Sequence, residues 1–202
     1  MEQFKALWTK EREDGTFETS LQELSIEVLG PHEVLVQVLY SSLNYKDALS
    51  ANGHRGITQH FPHIPGIDAA GIILHDASGQ FQAGEQVIIT GFDLGMNTHG
   101  GLGELIRVPA SWIVPLPTNL SLKRAMQIGT AGLTAGMAVL ALQQNQISPS
   151  SGEILVTGAS GGVGMCAIKL LHHLGYEVVA LSGKAEMKDV LLNIGASRVI
   201  DR

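Results

Sequence analysis

The chain has 202 residues, of which 45% are hydrophobic, and a formal net charge of −6 at pH 7. This length suffices for one large domain or two small ones, and an acidic balance without a dense basic run argues against binding to nucleic acid or an anionic membrane surface. The single cysteine, Cys166, excludes an internal disulfide framework and a cysteine-based zinc site within the chain. The N-terminus lacks the apolar core of a signal peptide, and no run approaches the ~18 apolar residues of a membrane span, so we expect a cytoplasmic protein.

The first 120 residues are rich in short β patterns. Two of these patterns flank the turn at 13–15, and Gly30-Pro31 then breaks the chain. Further runs of β-branched and apolar residues follow at 34–40, 64–74, 86–89, 104–108 and 112–114. Many short strands between turns predict a compact β domain with a barrel-like architecture.

A short helical pattern follows the run at 34–40. Asn44 can cap this helix, and Asp47 then lies in its first turn, where a negative charge is favourable. This local role is enough to explain both residues, and it leaves Tyr45 and Lys46 open to a functional role.

Residues 51–65 form a predicted loop that contains His54, His60 and His63. Three histidines at this spacing could hold a metal, but no acidic residue or cysteine accompanies them in the loop, so we favour a solvated loop. The glycine-rich stretch at 90–103 is predicted to line a surface or a cleft.

Pro115-Leu116-Pro117 marks a change from strand patterns to helical ones. We therefore predict one domain at 1–120 and a second at 121–202. The second domain opens with an alanine-rich helical pattern at 122–146, which Gly129-Thr130-Ala131-Gly132 interrupts. The interruption either bends the helix or lets another helix pack closely against small residues.

Residues 153–174 combine an apolar strand pattern, a glycine turn and a helical periodicity, in that order. Gly158, Gly161 and Gly164 lie in the turn. A dinucleotide requires this context, because its diphosphate must approach bare backbone amides at a helix N-terminus. The spacing is not the strict G-x-G-x-x-G pattern, and a helix-starting turn without a ligand is the alternative.

A second βα unit follows and favours the dinucleotide site. A strand pattern covers 176–181, a helical pattern covers 185–194, and Arg198 begins a third strand. The second strand ends in Ser182-Gly183-Lys184, where an NAD-binding fold places a carboxylate. A hydroxyl and an ammonium can bind a 2′-phosphate instead, so the sequence predicts NADPH rather than NADH. The alternative is a plain turn with a solvated lysine.

With these features in place, the chain resembles the medium-chain dehydrogenase/reductase superfamily. It is most similar to the zinc-free quinone oxidoreductase branch, and within that branch to the YhdH/YhfP-type acrylyl-CoA reductases. The resemblance covers the whole chain in order through the motifs SSLNYKDAL, PGIDAAG, GTAGLTAG, VTGASGGVG and SGK. It implies an α/β fold with a β-rich part, in which a GroES-like N-terminal domain precedes a truncated Rossmann parallel sheet.

The resemblance also implies a site without a metal. Three zinc-ligand positions of zinc-dependent relatives hold Asn44, Ile67 and Thr130 here, and these side chains do not hold Zn²⁺ as thiolate and imidazole do. The implied reaction is metal-independent conjugate reduction, in which NADPH delivers hydride to the activated C=C bond of an acrylyl-CoA-like enoyl thioester, or reduction of a quinone. Hydrogen-bond donors must then stabilise the enolate oxygen.

The motifs assign an expected role to each candidate residue. Tyr45 and Lys46 are the candidates for a polar or proton-donating catalytic role, and Asn44 and Asp47 fix their loop. The resemblance places Thr130 beside the nicotinamide. The other cofactor residues are expected at the diphosphate (Ser160, Gly161, Gly162 and Val163) and at the 2′-phosphate (Ser182 and Lys184).

Members of the family continue beyond the length of this chain. The additional part normally completes the sheet, the nicotinamide pocket and a homodimer interface, so we expect that interface to be missing here. A truncated, non-catalytic remnant that binds nucleotide or a partner protein is therefore the alternative to a reductase. The sequence does not choose among enoyl-CoA, alkenal and quinone as the small-molecule substrate.

Overall fold

The computed structural model describes residues 3–201. The chain divides into two compact units, of which one extends to Thr130 and the other begins at Ala131. Each unit has an apolar core of its own, and the two are described separately.

The first unit is built mainly from antiparallel strands, as the short β patterns predict. Strands β1 (Gln3–Glu11) and β2 (Phe17–Ser25) form a hairpin that turns at Asp14 and Gly15. Helix α1 and the strands of a second sheet follow: β3 (Val34–Tyr40), α1 (Tyr45–Ala51), β4 (Asp68–Asp76), β5 (Gln86–Thr90), β6 (Leu105–Val108) and β7 (Val114–Pro115). Within residues 3–201 the order of this sheet is β6-β3-β4-β5-β7, with antiparallel neighbours. The predicted strand at 112–114 is wrong at its start, because Ala110–Trp112 forms a 3₁₀ turn.

Alternating apolar side chains of the second sheet form the main core of the first unit. Val34 and Val36 of β3, Ile73 of β4, and Val87 and Ile89 of β5 are fully buried. Burial with a period of two is what a strand with one covered face produces. The sheet therefore gives a fixed frame for the segments that precede and follow its strands.

One loop prediction needs correction. His63 is only 1% exposed, so the expectation of a solvated loop is wrong for this residue, although His54 and His60 are exposed. In the glycine-rich stretch, a Cβ atom added at Gly95 would lie 2.4 Å from the backbone of Gly66, so this glycine allows close backbone packing. Among residues 3–201, no group of three or more His, Cys, Asp or Glu side chains could hold a metal ion.

Helix α2 (Leu122–Gln144) begins in the first unit and continues in the second. Its first turns pack around Ala70 of β4, which is why the division between the units lies after the predicted boundary at 120 and 121. Gly129 has φ 49° and ψ −158°, so the predicted interruption bends the helix. Of the helices in the described part of the chain, α2 alone is long and apolar enough to span a membrane by length and composition. The expectation that no segment approaches this length and hydropathy is therefore wrong for α2. The core helix of a globular protein has the same length and composition.

The second unit contains a parallel sheet covered by helices. Its elements in chain order are β8 (Ile154–Val156), α3 (Gly162–His173), β9 (Val178–Leu181), α4 (Lys188–Asn193) and β10 (Arg198–Ile200). Within the described range the strand order is β10-β9-β8, and both pairs are parallel. Ile168, Leu171 and Leu191 of the helices are buried against Val178 and Ala180 of β9. The expected fold class, an α/β chain with a β-rich part followed by a short Rossmann-type parallel sheet, is confirmed.

Candidate functional site

The predicted catalytic residues lie at the start of α1, in the first unit. Asn44 is the N-cap of this helix, as expected. The buried carboxylate of Asp47 accepts hydrogen bonds from the backbone N–H groups of Asn44, at 2.7 Å, and of Ile67, at 2.9 Å. Asp47 therefore ties the start of α1 to the residue that precedes β4, which fits the loop-fixing role expected for it.

The surroundings of Asp47 disfavour its ionised form. Burial raises the pKa of this carboxyl above its ordinary value, and the nearby negative charge of Asp68 acts in the same direction. The hydrogen bonds from the backbone amides of Asn44 and Ile67 act against this shift but do not reverse it. Asp47 is thus a buried acid held by backbone amides, whereas Tyr45 is exposed and Lys46 is half-buried.

A second buried carboxylate, that of Asp68 at the start of β4, gathers several predicted residues. Its Oδ2 accepts hydrogen bonds from Asn44 Nδ2 at 3.0 Å, from the Thr130 backbone amide at 2.9 Å and from the hydroxyl of Ser42. Its Oδ1 accepts the hydroxyl proton of Thr130 at 2.7 Å. Asn44 and Thr130, which are far apart in the sequence, therefore meet on one carboxylate. We call Ser42, Asn44, Asp68 and Thr130 the Asp68 network.

The bend in α2 makes the approach of Thr130 possible. A Cβ atom added at Gly129 would lie 2.8 Å from Asp68 Oδ2 and 3.0 Å from Ser42 Oγ. The φ of 49° at Gly129 is also one that other residues rarely adopt. Only glycine therefore fits between the helix and the network at this point.

The hydrogen bonds decide the charge state of Asp68. Burial alone would raise the pKa of this carboxyl, but the hydrogen bonds from Ser42, Thr130 and Asn44 outweigh burial and hold the pKa below its ordinary value. A carboxylate that accepts this many hydrogen bonds is stabilised as an anion. The network is therefore built around a buried negative charge.

Tyr45 and Lys46 lie beside the network, in the first turn of α1. The side chain of Tyr45 is 81% exposed. Lys46 is half-buried, and its Nζ lies 3.8 Å from the sulfur of Met96. Both side chains carry protons that can be donated to a ligand, and the hydroxyl of Tyr45 is accessible.

The glycine turn of the second unit connects β8 to α3. Gly158 has φ 59°, and Gly161 is the N-cap of α3. A Cβ atom added at Gly164 would lie 2.4 Å from the carbonyl oxygen of Gly158, so the turn is too tight for any side chain there. The glycines thus bring the strand end and the helix start together, as the dinucleotide interpretation requires.

The start of α3 offers unpaired backbone donors. The N–H groups of Gly162, Val163 and Gly164 come before the first intrahelical hydrogen bond, in which Met165 N–H donates to the Gly161 carbonyl at 2.9 Å. Gly161, Gly162 and Val163 are exposed, and Ser160 is half-buried. Accessible N–H groups at the positive end of a helix dipole fit a diphosphate.

Ser182 and Lys184 lie at the same edge of the parallel sheet as the glycine turn. This follows from the register, because Val156 of β8 pairs with Ala180 of β9, and both strands end toward that edge. Ser182 is buried, and its hydroxyl oxygen accepts the backbone N–H of Lys184 at 3.2 Å, while Lys184 is exposed. Both side chains are therefore close to the region that a nucleotide ribose occupies in such folds.

The sequence interpretation missed Asp68 and Ser42. Both stand inside motifs that carried the resemblance, PGIDAAG and SSLNYKDAL, but no role was assigned to either residue. A signal was present, since an aspartate that opens a run of small apolar residues must be buried with partners. The partners themselves could not be read from the sequence, because Thr130 reaches Asp68 only through the bend at Gly129.

Known proteins are similar to this chain in sequence across both units. The family model described as the alcohol dehydrogenase GroES-like domain matches residues 30–118. The chain is 48% identical over 192 residues to the probable acrylyl-CoA reductase AcuI of Escherichia coli K12, a match that covers 95% of this chain and 59% of that protein.

Two crystal structures are similar over nearly the whole chain. The yhdH oxidoreductase from Salmonella enterica in complex with NADP superposes with a TM-score of 0.95 at 47% identity, over 98% of this chain and 61% of that one. Bacillus subtilis yhfP with NAD bound gives a TM-score of 0.94 at 44% identity, over 98% and 60% of the two chains. The chain thus spans about three fifths of the length of these relatives.

Proposed function

Because the chain belongs to the medium-chain dehydrogenase/reductase superfamily, we propose that it is an NADPH-dependent oxidoreductase. The finer proposal is metal-independent conjugate reduction of an activated C=C bond in an acrylyl-CoA-like enoyl thioester, or reduction of a quinone. The observation that carries the proposal is the common position of the glycine turn and of Ser182 and Lys184 at one edge of the parallel sheet. The substrate in either case is a small molecule.

The residues of the second unit fit NADPH. The exposed amides of Gly162 and Val163 would hold the diphosphate at the start of α3, with Gly161 and Ser160 beside them. Ser182 and Lys184 would hold the 2′-phosphate, and no carboxylate stands at 182–184 to repel it. One similar structure contains NADP and another contains NAD, so the preference for NADPH is argued from these two residues alone.

The residues of the first unit would supply the hydrogen-bond donors for the reaction. When bound, NADPH supplies the hydride. Tyr45 and Lys46 directly follow Asn44 of the Asp68 network in the chain, and their O–H and Nζ groups would donate hydrogen bonds to the substrate carbonyl oxygen as negative charge develops on it. Asn44 and Asp47 would hold the start of α1, and so these two donors, in place.

The test combines a binding measurement with a turnover measurement on the purified chain. NADPH is titrated by fluorescence, and its oxidation is followed with acryloyl-CoA and with a small quinone. Tyr45→Phe is expected to lower turnover on the order of 100-fold, because a donor to the developing oxyanion is lost, and to leave the Kd for NADPH unchanged. Tyr40→Phe is the matched control, since Tyr40 has no role in this scheme.

Equal turnover in wild type and Tyr45→Phe would refute the role of Tyr45. Binding of NADPH without oxidation of it by any of these substrates would support the non-catalytic alternative, and absence of binding would refute the cofactor assignment. A size measurement on the same sample tests the prediction that the homodimer interface is missing. A cytoplasmic location also stays a prediction.

A further inference from the structure

Side chains of the Asp68 network donate hydrogen bonds to one another, so these donors are not available to a ligand. The hydroxyl of Thr130 has one proton, and it is donated to Asp68 Oδ1 at 2.7 Å. Asn44 Nδ2 has two protons, and it lies 3.0 Å from Asp68 Oδ2 and 3.0 Å from Ser42 Oγ. Ser42 in turn donates its hydroxyl proton to Asp68. Three side chains of the network thus direct their donors inward.

We propose that Asp68 is a positioning residue, which holds Asn44 and Thr130 with their protons directed to the network and so leaves donation to the substrate to Tyr45 and Lys46. This inference rests on the function proposed above. It means that the Thr130 hydroxyl has no proton left to donate to a ligand. It also means that neither Asn44 nor Thr130 stabilises the enolate oxygen.

The energetic basis is the burial of the Asp68 charge. The residue is fully buried, and an isolated carboxylate in such a place would be strongly disfavoured. The donors come from two segments, the loop before α1 and the bend of α2, and both reach the carboxylate at the start of β4. Because the charge needs all of them, it fixes these segments relative to one another within the first unit.

The first test replaces Asp68 by asparagine, which has nearly the same shape. The amide brings donors of its own against Asn44 and Thr130, so at least one of these side chains must turn. We expect turnover with acryloyl-CoA to fall about 10- to 100-fold, while the Kd for NADPH stays within about twofold of wild type. Asp76→Asn is the matched control, because Asp76 also accepts several backbone N–H groups but lies outside the network, and it should change neither quantity.

A second readout needs no substrate. The backbone N–H of Thr130 donates to Asp68 Oδ2 at 2.9 Å, so its hydrogen exchange, measured by NMR, should accelerate at least about tenfold in Asp68→Asn and stay unchanged in Asp76→Asn. An inactive wild-type chain would overturn the proposed function without deciding this point. Unchanged exchange of Thr130 in Asp68→Asn would overturn the positioning role, whether or not the chain is active.

A pair of variants at Thr130 covers the case in which Asp68→Asn does not fold. Thr130→Ser keeps the hydroxyl and should keep turnover within about twofold of wild type, whereas Thr130→Val removes the donor to Asp68 and should lower turnover about tenfold or more. A purely steric role for Thr130 predicts the reverse order, because valine matches the shape of threonine better. Equal turnover in the two variants would also overturn the inference.

Discussion

At the end of β9, two side chains stand where other nucleotide-binding folds place a carboxylate. Ser182 is buried and holds the backbone amide of Lys184, so the turn is fixed while the ammonium group stays accessible. The hydroxyl accepts this N–H and keeps its own proton, so both Ser182 and the exposed Lys184 would be able to donate to the 2′-phosphate in the proposed complex. We therefore expect the choice between NADPH and NADH to depend on these two side chains.

Lys184→Ala should weaken NADPH binding and leave NADH binding unchanged. A hydrogen bond between an ammonium and a phosphate contributes on the order of 10- to 100-fold in affinity, and solvent at this exposed site places the expected loss near tenfold. Fluorescence titration of both nucleotides at low and at high salt measures the effect, which salt should reduce. Lys188→Ala, an exposed lysine at the start of α4, is the control. An unchanged ratio of the two affinities would show that the lysine is only solvated.

At the scale of single elements, two glycines of helix α2 have different roles. The bend of the helix requires Gly129, whereas no contact requires Gly136. Gly129 has a backbone conformation that other residues rarely adopt, and it lies against Asp68. Gly136 lies in the regular part of the same helix, and a Cβ atom added there meets nothing within 4 Å. The same substitution at the two positions should therefore have opposite effects.

Gly129→Ala should lower the free energy of unfolding by about 1–3 kcal/mol, because the new Cβ atom strains the bend and crowds Asp68 Oδ2. Gly136→Ala should raise it by about 0.5–1 kcal/mol, because alanine favours the helix. Urea unfolding of both variants measures the difference. A Gly129→Ala protein as stable as Gly136→Ala would show that the bend is not held by glycine.

The sequence predicted the elements better than the contacts between them. The strands and helices of the second unit follow from local patterns, because β8, the glycine turn and α3 are contiguous in the chain. The predicted helix at 185–194 begins in the structure with a 3₁₀ turn, Ala185–Met187, before α4. The role of Asp68 could not be predicted, because its donors come from residues 42, 44 and 130, which only the tertiary fold brings together.

Across the whole molecule, buried titratable groups should make the free energy of unfolding decrease as the pH falls. Burial lowers the pKa of His63 to about 4, and burial also lowers the pKa of His99. A group whose pKa is lower in the folded state than in the unfolded state stabilises the protein above the unfolded value, and this contribution is lost as the pH falls. Asp68 acts in the same direction at lower pH, whereas Asp47, whose pKa burial raises, partly opposes the loss.

The histidine contribution can be isolated with His63→Gln. For a pKa near 4 in the folded state and 6.5 in the unfolded state, His63 should cost about 1 kcal/mol of stability between pH 7.5 and 5.5. His63→Gln should remove that part of the pH dependence, although it also lowers stability at pH 7.5. His60→Gln, at an exposed histidine of the same loop, should keep the slope of wild type. Equal slopes in urea unfolding for both variants would contradict the prediction.

The Asp68 network also has a consequence for how this sequence can change over time. A buried charge shared by four positions makes a change at any one of them costly to the other three, so residues 42, 44, 68 and 130 should be inherited as a group. Lineages that keep the aspartate should keep a donor at each of the other three positions. Lineages that lose the aspartate are free to replace the other three residues, so the four positions should vary together among related sequences.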